Sequence, residues 1–205
     1  MGTKRAHRSA CKAHGPTCEG HASRAKKKRP ILELSQALAL TDSRTDRHER
    51  AVLLVAYDLA LRACEVRLLA AGTFDAKART IDFVPAKDGE EEPLGVAQRT
   101  ADAIDAIGGL PAFAAWPAWK VKRLVRRAAK ETGLPPRMRY SHILRKSRAT
   151  HMLEATPPAS IKDIQRRLRH KSEQTTLLYL GITPTRARTM DAVASAMIDD
   201  AGAAP

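Results

Sequence analysis

The sequence predicts an α+β fold that is mainly α-helical, and three observations point there. Apolar residues recur at helical spacing along much of the chain, as in Val52, Leu53, Ala56, Leu59 and Ala60. Alternation of strand-forming residues is confined to Thr80–Val84, with turn residues over Pro85–Gly89 and a return strand over Glu92–Val96, enough for one small antiparallel sheet. Hydrophobic residues make up 43% of the chain but aromatic ones only 4%, so the expected core is Leu, Ala, Val and Ile packing.

The 205 residues suffice for one sizeable domain with a short appendage. The appendage is residues 1–30, a basic arm in which nine Lys and Arg face a single acid, Glu19. With so few apolar residues it cannot bury a core and is expected to be disordered alone. Its densest part, Lys26, Lys27, Lys28 and Arg29, suits contact with DNA phosphates. The arm also holds Cys11, His14, Cys18 and His21, a weak candidate zinc set whose central spacing is shorter than in ordinary fingers; otherwise no metal is expected. Cys64, the third cysteine, falls in an apolar helical run and reads as packing.

From Pro30 the composition turns globular. Helices are expected over 31–40, 47–63, 97–107 and 118–132. The last has an apolar stripe of Val121, Leu124, Val125 and Ala128 and a basic face on which Lys122 and Arg126 are candidate DNA contacts. Ser141 stands where it can cap the next helix, and Ser160 with Asp163 forms a capping-box start. Three short helices then span 142–180. A final helix begins at Thr183-Pro184, with Met190, Val193, Ala194, Met197 and Ile198 as its stripe. The domain reading is therefore an arm over 1–30, a globular domain over 31–182, which the resemblance given below makes the catalytic domain, and a terminal helix and tail over 183–205.

The net charge of +14 argues for an anionic polymer as partner. No apolar run reaches the length of a membrane span, and the basic N-terminus lacks the apolar centre of a signal peptide. A cytoplasmic, nucleoid-associated protein acting on double-stranded DNA is the expectation.

The stretch 142–179 carries the chemistry. His142 and Arg145 lie three apart on one helix face, His170 ends the following helix, and Tyr179 sits in the last turn of the third. Arginine binds phosphate oxygens bidentately, histidine donates a hydrogen bond or moves a proton near neutral pH, and tyrosine becomes a nucleophile once the charge developing around it is balanced. A helix-turn-helix regulator accounts for the charge and for two helices around a turn, with Tyr179 as core.

His142-x-x-Arg145, then His170, then Tyr179 nine residues later resembles the C-terminal boxes of the tyrosine recombinases, the phage-integrase family. The surroundings, Ala149-Thr150-His151 and Thr175-Thr176, are similar too. Upstream, Leu61, Arg62 and Glu65 resemble the family's first box, and Lys87, in a Lys-Asp-Gly turn, stands where the family has a hairpin lysine. The sequence departs from the pattern at Ala60 and Arg169, where the family has glycine, at Lys146 in place of a common histidine, and at Leu180 in place of Thr or Ser.

The resemblance covers roughly residues 31–200. It implies Tyr179 as nucleophile, Arg62 and Arg145 as phosphate ligands, His142 and His170 as hydrogen-bond donors or proton carriers, Lys87 as general acid and Glu65 in support. It implies DNA cleavage and rejoining without a cofactor, by a homodimer on each site and a homotetramer in synapsis, with accessory directionality proteins as further partners. It also implies that the segment after Tyr179 docks on a neighbouring protomer, and that the separate core-binding domain usual in the family is missing here. A type IB topoisomerase uses nearly the same residues without a partner duplex.

Overall fold

A computed structural model of the protein describes residues 30–84 and 93–182. The basic arm with its Cys11, His14, Cys18 and His21 set and with Lys26 to Arg29, the turn bearing Lys87, and the terminal helix over 183–205 lie outside the described residues.

The expected amphipathic runs form seven helices among the described residues, separated by a three-stranded sheet. α1 (Leu34–Asp42) and α2 (Arg47–Asp58) come first. α2 starts at Asp46, whose carboxylate accepts from the Glu49 amide at 2.8 Å. It ends five residues before the expected Ala63, because Ala60 turns left-handed at φ 48°. The Leu61 amide then closes the helix on the Ala56 carbonyl at 3.0 Å, a six-to-one Schellman bond. Cys64 is consequently not in a helix: it is exposed in the turn between Arg62 and Glu65, which corrects its reading as a packing residue.

The sheet is antiparallel with strands β1 (Thr73–Asp75), β2 (Thr80–Asp82) and β3 (Leu94–Gly95) in that order. Phe74 faces Ile81, and Ile81 faces Leu94. β1 was not anticipated, and β2 and β3 are shorter than the alternation suggested. Gly72 leads into β1 where a side chain has no room: a Cβ there would lie 2.3 Å from the Asp82 carbonyl oxygen.

α3 (Gln98–Asp105) and α4 (Ala118–Glu131) follow, then α5 (Ile143–Leu153), α6 (Ile161–Leu168) and α7 (Glu173–Leu180). α5 starts on His142, which makes no side-chain cap bond, so Ser141 does not cap it as expected; its hydroxyl lies 3.2 Å from His142 Nδ1. α6 has the expected capping box, Ser160 with Asp163.

α2 is buried from Ala51 to Asp58 and forms the centre of the larger core, with Leu32, Leu40, Leu69, Ile104, Phe113, Leu124 and Ile143 around it. A second, smaller core joins Ala60, Ala149, Ile164 and Leu168, with Tyr179 packed against it.

Two polar networks fix the helices that matter for the site. Buried Asp58, the last residue of α2, accepts from the Ala97 amide at 2.7 Å and the Thr100 hydroxyl at 2.8 Å, and lies 3.5 Å from Arg148 of α5. Arg167 of α6 donates to the Gly95 carbonyl at 2.8 Å, so α6 is tied to the sheet. On the other side of α5, Ser147 Oγ accepts from the Leu32 amide at 2.8 Å and His151 Nε2 donates to the Leu32 carbonyl at 2.9 Å. That leaves His151 Nδ1 to accept from the Tyr57 hydroxyl at 2.8 Å. The helix carrying Arg145 is therefore held by polar bonds on two flanks.

Candidate active site

The left-handed turn at Ala60 sends the chain out of α2 and places Arg62 beside Glu65. Glu65 is fully buried and takes both the Arg62 amide, on Oε2 at 2.7 Å, and the Arg62 guanidinium, on Oε1 at 2.6 Å. Arg145 enters from α5, is 2% exposed, and donates Nη1 to the Ala60 carbonyl at 2.5 Å and Nη2 to the Leu168 carbonyl. Its Nη1 is 3.8 Å from Glu65 Oε2, an ion-pair distance rather than a hydrogen bond.

A third guanidinium comes from Arg169. Its Nη2 donates to Glu65 Oε2 at 2.9 Å and to the Ala60 carbonyl at 3.3 Å, and its Nη1 donates to the Leu59 carbonyl at 3.2 Å. The guanidinium carbon also lies 5.4 Å from the centre of the Phe83 ring. Among the described residues one carboxylate thus faces three guanidiniums, leaving two positive charges unbalanced in a largely buried cluster. Uncompensated buried charge is costly, and a cluster built this way favours an anion, with Arg62 at 30% side-chain exposure as its open edge.

The electrostatics follow. Burial works to raise Glu65, but Arg169, the two Arg62 bonds and Arg145 outweigh it and hold the carboxyl below the usual range. Burial, then repulsion from Arg62 and Arg169, pulls Arg145 down to about 10, so it stays charged at neutral pH. Burial together with Arg145, Arg62 and Arg169 pushes His170 down to about 4, against the pull of Glu65. His170 is therefore a neutral imidazole at pH 7. Its Nδ1 is 3.1 Å from the Thr176 hydroxyl, and its ring meets Tyr179 edge-on at 5.4 Å between centroids.

Tyr179 stands on α7 with its hydroxyl buried, close enough to Arg145 for their charges to interact. The structure accordingly brings Arg62, Glu65, Arg145, His170 and Tyr179 into one constellation. His142 is exposed at the start of α5. Lys122 and Arg126 are exposed on α4, which packs on α2 and on the turn at Val66–Ala71. Arg169 was missed as a contributor because a residue in a glycine position reads as a departure. The usable signal was its place directly before His170, one residue from a candidate site residue. Among the described residues no group of three or more His, Cys, Asp or Glu gathers as a metal site would, and no helix is long and apolar enough to cross a membrane.

No protein-family model and no curated protein matches the chain by sequence. Solved structures do match. The crystal structure of XerA recombinase superposes on 78% of this chain with a TM-score of 0.66 and 20% identity. The chain has the catalytic-domain fold of the tyrosine recombinases. The Tn1549 transposon integrase, in complex with transposon right end DNA, matches 81% of the chain with a TM-score of 0.60 and 15% identity. XerH site-specific recombinase, bound to a palindromic difH substrate in a post-cleavage complex, matches 85% with a TM-score of 0.61 and 15% identity. The chain spans 63%, 66% and 56% of those three structures, less than two thirds of each. The tyrosine recombinase fold thus extends over the described helices and sheet.

Proposed function

We propose that the protein is a site-specific DNA recombinase that cuts and rejoins DNA through a 3′-phosphotyrosyl intermediate. The observation that carries the reading is the convergence of Arg62, Arg145, His170 and Tyr179 around buried Glu65, with positive charge in excess. Two of the matched structures hold DNA, which suits the net charge of +14.

In this reading Tyr179 Oη attacks a backbone phosphorus. Its proton passes to a base, for which His170, edge-on to the Tyr179 ring, or His142 is the candidate; the P–O5′ bond breaks, and the departing 5′ oxygen takes up a proton, for which Lys87 is the expected source. Arg62 and Arg145 bind the non-bridging oxygens, and their charge counts most as negative charge grows in the transition state. Neutral His170 offers a hydrogen bond to the same phosphate without adding charge, and His142 is a second candidate donor. Glu65 keeps the arginines in place. Since the ester retains the energy of the broken bond, a 5′ hydroxyl of another strand reverses the reaction with no cofactor. Strand exchange of this kind engages a dimer on each site and a tetramer across two. Lys122, Arg126 and the arm residues Lys26 to Arg29 are assigned to backbone contact outside the cleaved phosphate.

The test is adduct formation. The wild-type protein is incubated with nicked duplexes tiled across DNA flanking the gene and run on denaturing gels. A covalent protein–DNA band that disappears with Arg62→Ala supports the recombinase. Sequence-selective binding with no band on any duplex points to a DNA-binding regulator instead. Relaxation of supercoiled plasmid with no joining of a second duplex points to a topoisomerase-like enzyme.

A further inference from the structure

Arg169 closes α6 in the left-handed conformation, at φ 52° and ψ 49°. The turn is a Schellman closure, with the His170 amide on the Gln165 carbonyl at 3.1 Å. A Cβ is disfavoured there, yet this position holds one of the longest side chains available. That side chain is not solvated: it is 4% exposed, and four contacts fix its end, namely Glu65, the Leu59 and Ala60 carbonyls and the Phe83 ring.

Those contacts converge on the other strained turn of the site. Ala60 is itself left-handed, at φ 48°, and its carbonyl accepts from both Arg169 and Arg145. One guanidinium therefore ties the end of α6, which delivers His170, to the end of α2, which delivers Arg62. It also occupies Glu65 Oε2, the oxygen that lies 3.8 Å from Arg145. Take Arg169 away and that oxygen is left with the Arg62 amide, and the natural replacement is Arg145 itself, drawn inward.

We propose that Arg169 is a positioning residue for phosphate: it holds Glu65 Oε2 and the Leu59–Ala60 turn so that Arg62 and Arg145 present their N–H groups to one anion. The inference rests on reading this cluster as the site of a scissile phosphate. Arg169 acts through Glu65: its Nη2 donates to that carboxylate and to the Ala60 carbonyl, and its Nη1 to the Leu59 carbonyl. Misplacing a binding group by about an ångström costs on the order of 100-fold in rate, so the effect is large enough to measure.

The experiment compares the full chain with Arg169→Gly, Arg169→Lys and Arg169→Gln in two assays. The first titrates inorganic phosphate into DNA-free protein and follows the guanidinium N–H signals of Arg62 and Arg145 by NMR. The second measures single-turnover adduct formation at saturating nicked duplex, alongside DNA affinity. Arg169→Gly and Arg169→Gln are expected to bind phosphate about 10-fold more weakly and to form adduct about 10-fold or more slowly, with DNA affinity within about twofold of wild type. Arg169→Lys, which keeps a donor for Glu65, recovers most of both losses. Phosphate affinity and cleavage equal to wild type in Arg169→Gly and Arg169→Gln would overturn the proposal. So would losses that follow melting temperature alone, with Arg169→Lys no better than Arg169→Gln. Should wild type form no adduct, the recombinase reading fails, while the phosphate titration still decides the role of Arg169. Should Arg169→Gly not fold, Arg169→Gln carries the comparison.

Discussion

Among the described residues, five helices are followed by a left-handed residue, and they fall into two groups. α3, α4 and α7 end at Gly108, Gly133 and Gly181, which have no Cβ to oppose the turn. α2 and α6 end at Ala60 and Arg169, which do. The glycine turns only redirect the chain. The other two deliver Arg62 and His170 and are tied to one another through Arg169, Glu65 and the Ala60 carbonyl. Among the described residues one more non-glycine residue is left-handed, Arg79 in the β1–β2 turn; Ala60 and Arg169 differ from it in lying beside one buried carboxylate, where polar bonds hold them. Asp58 offers a contrast from the scaffold: its carboxylate accepts from two neutral donors, the Ala97 amide and the Thr100 hydroxyl, with Arg148 at 3.5 Å and Arg167 on its backbone carbonyl at 3.4 Å.

The comparison breaks most visibly at Glu65. Glu65→Gln removes the one negative charge that the described residues place among three guanidiniums, and loss of one partner from such a buried cluster costs about 3–5 kcal/mol. Urea unfolding is expected to show a loss of that order, whereas a loss below about 1 kcal/mol would mean that the arginines do not depend on the acid. The glycine group is probed by Gly133→Ala. A Cβ there meets no atom within 4 Å, so the whole effect is conformational, an expected loss of about 1–2 kcal/mol. Ala60→Gly sharpens the contrast. Relief of the turn, about 1–2 kcal/mol, is offset by removal of a fully buried methyl, about 0.8 kcal/mol. Its net gain should be clearly smaller than the Gly133→Ala loss, and a gain equal to that loss would show that Ala60 contributes nothing by packing.

The smallest expected effect is a pH dependence. His170 has a folded-state value of about 4, below its unfolded value of about 6.5. As pH falls, the unfolded chain binds the proton first. The stability tied to neutral His170 is complete above about pH 6.5 and is lost progressively as pH falls through 4. Melting temperatures from pH 7 to 4 should drop less steeply in His170→Gln than in wild type, and NMR should find the His170 ring neutral at pH 6.

Much of this was legible in the sequence. The apolar stripes and the Ser160–Asp163 box each reflect a local rule with one outcome; of the spaced set from the resemblance, the structure gathers Arg145, His170 and Tyr179 and leaves His142 exposed at the start of α5. The resemblance likewise picked out Arg62 and Glu65, which the structure brings to Arg145 and His170. What was not legible is conformational or non-local. Periodicity continues smoothly through Leu59 to Ala63, so it cannot report the left-handed turn that ends α2, and Cys64 was misplaced with it. β1 has three residues and too little alternation to stand out. Arg169 looked like a fault in a glycine position because its partners, Glu65 and the Leu59 and Ala60 carbonyls, lie over a hundred residues away in sequence.

The most direct test of the central claim is to locate the covalent bond. Adduct formed on a nicked duplex is digested with protease and nuclease, and the nucleotide-bearing peptide is sequenced by mass spectrometry, with Tyr179→Phe run in parallel. The account predicts a 3′-phosphoryl group on Tyr179, a free 5′ hydroxyl on the released strand, and no adduct from Tyr179→Phe. A 5′ linkage, attachment at another residue, or undiminished adduct from Tyr179→Phe would contradict it.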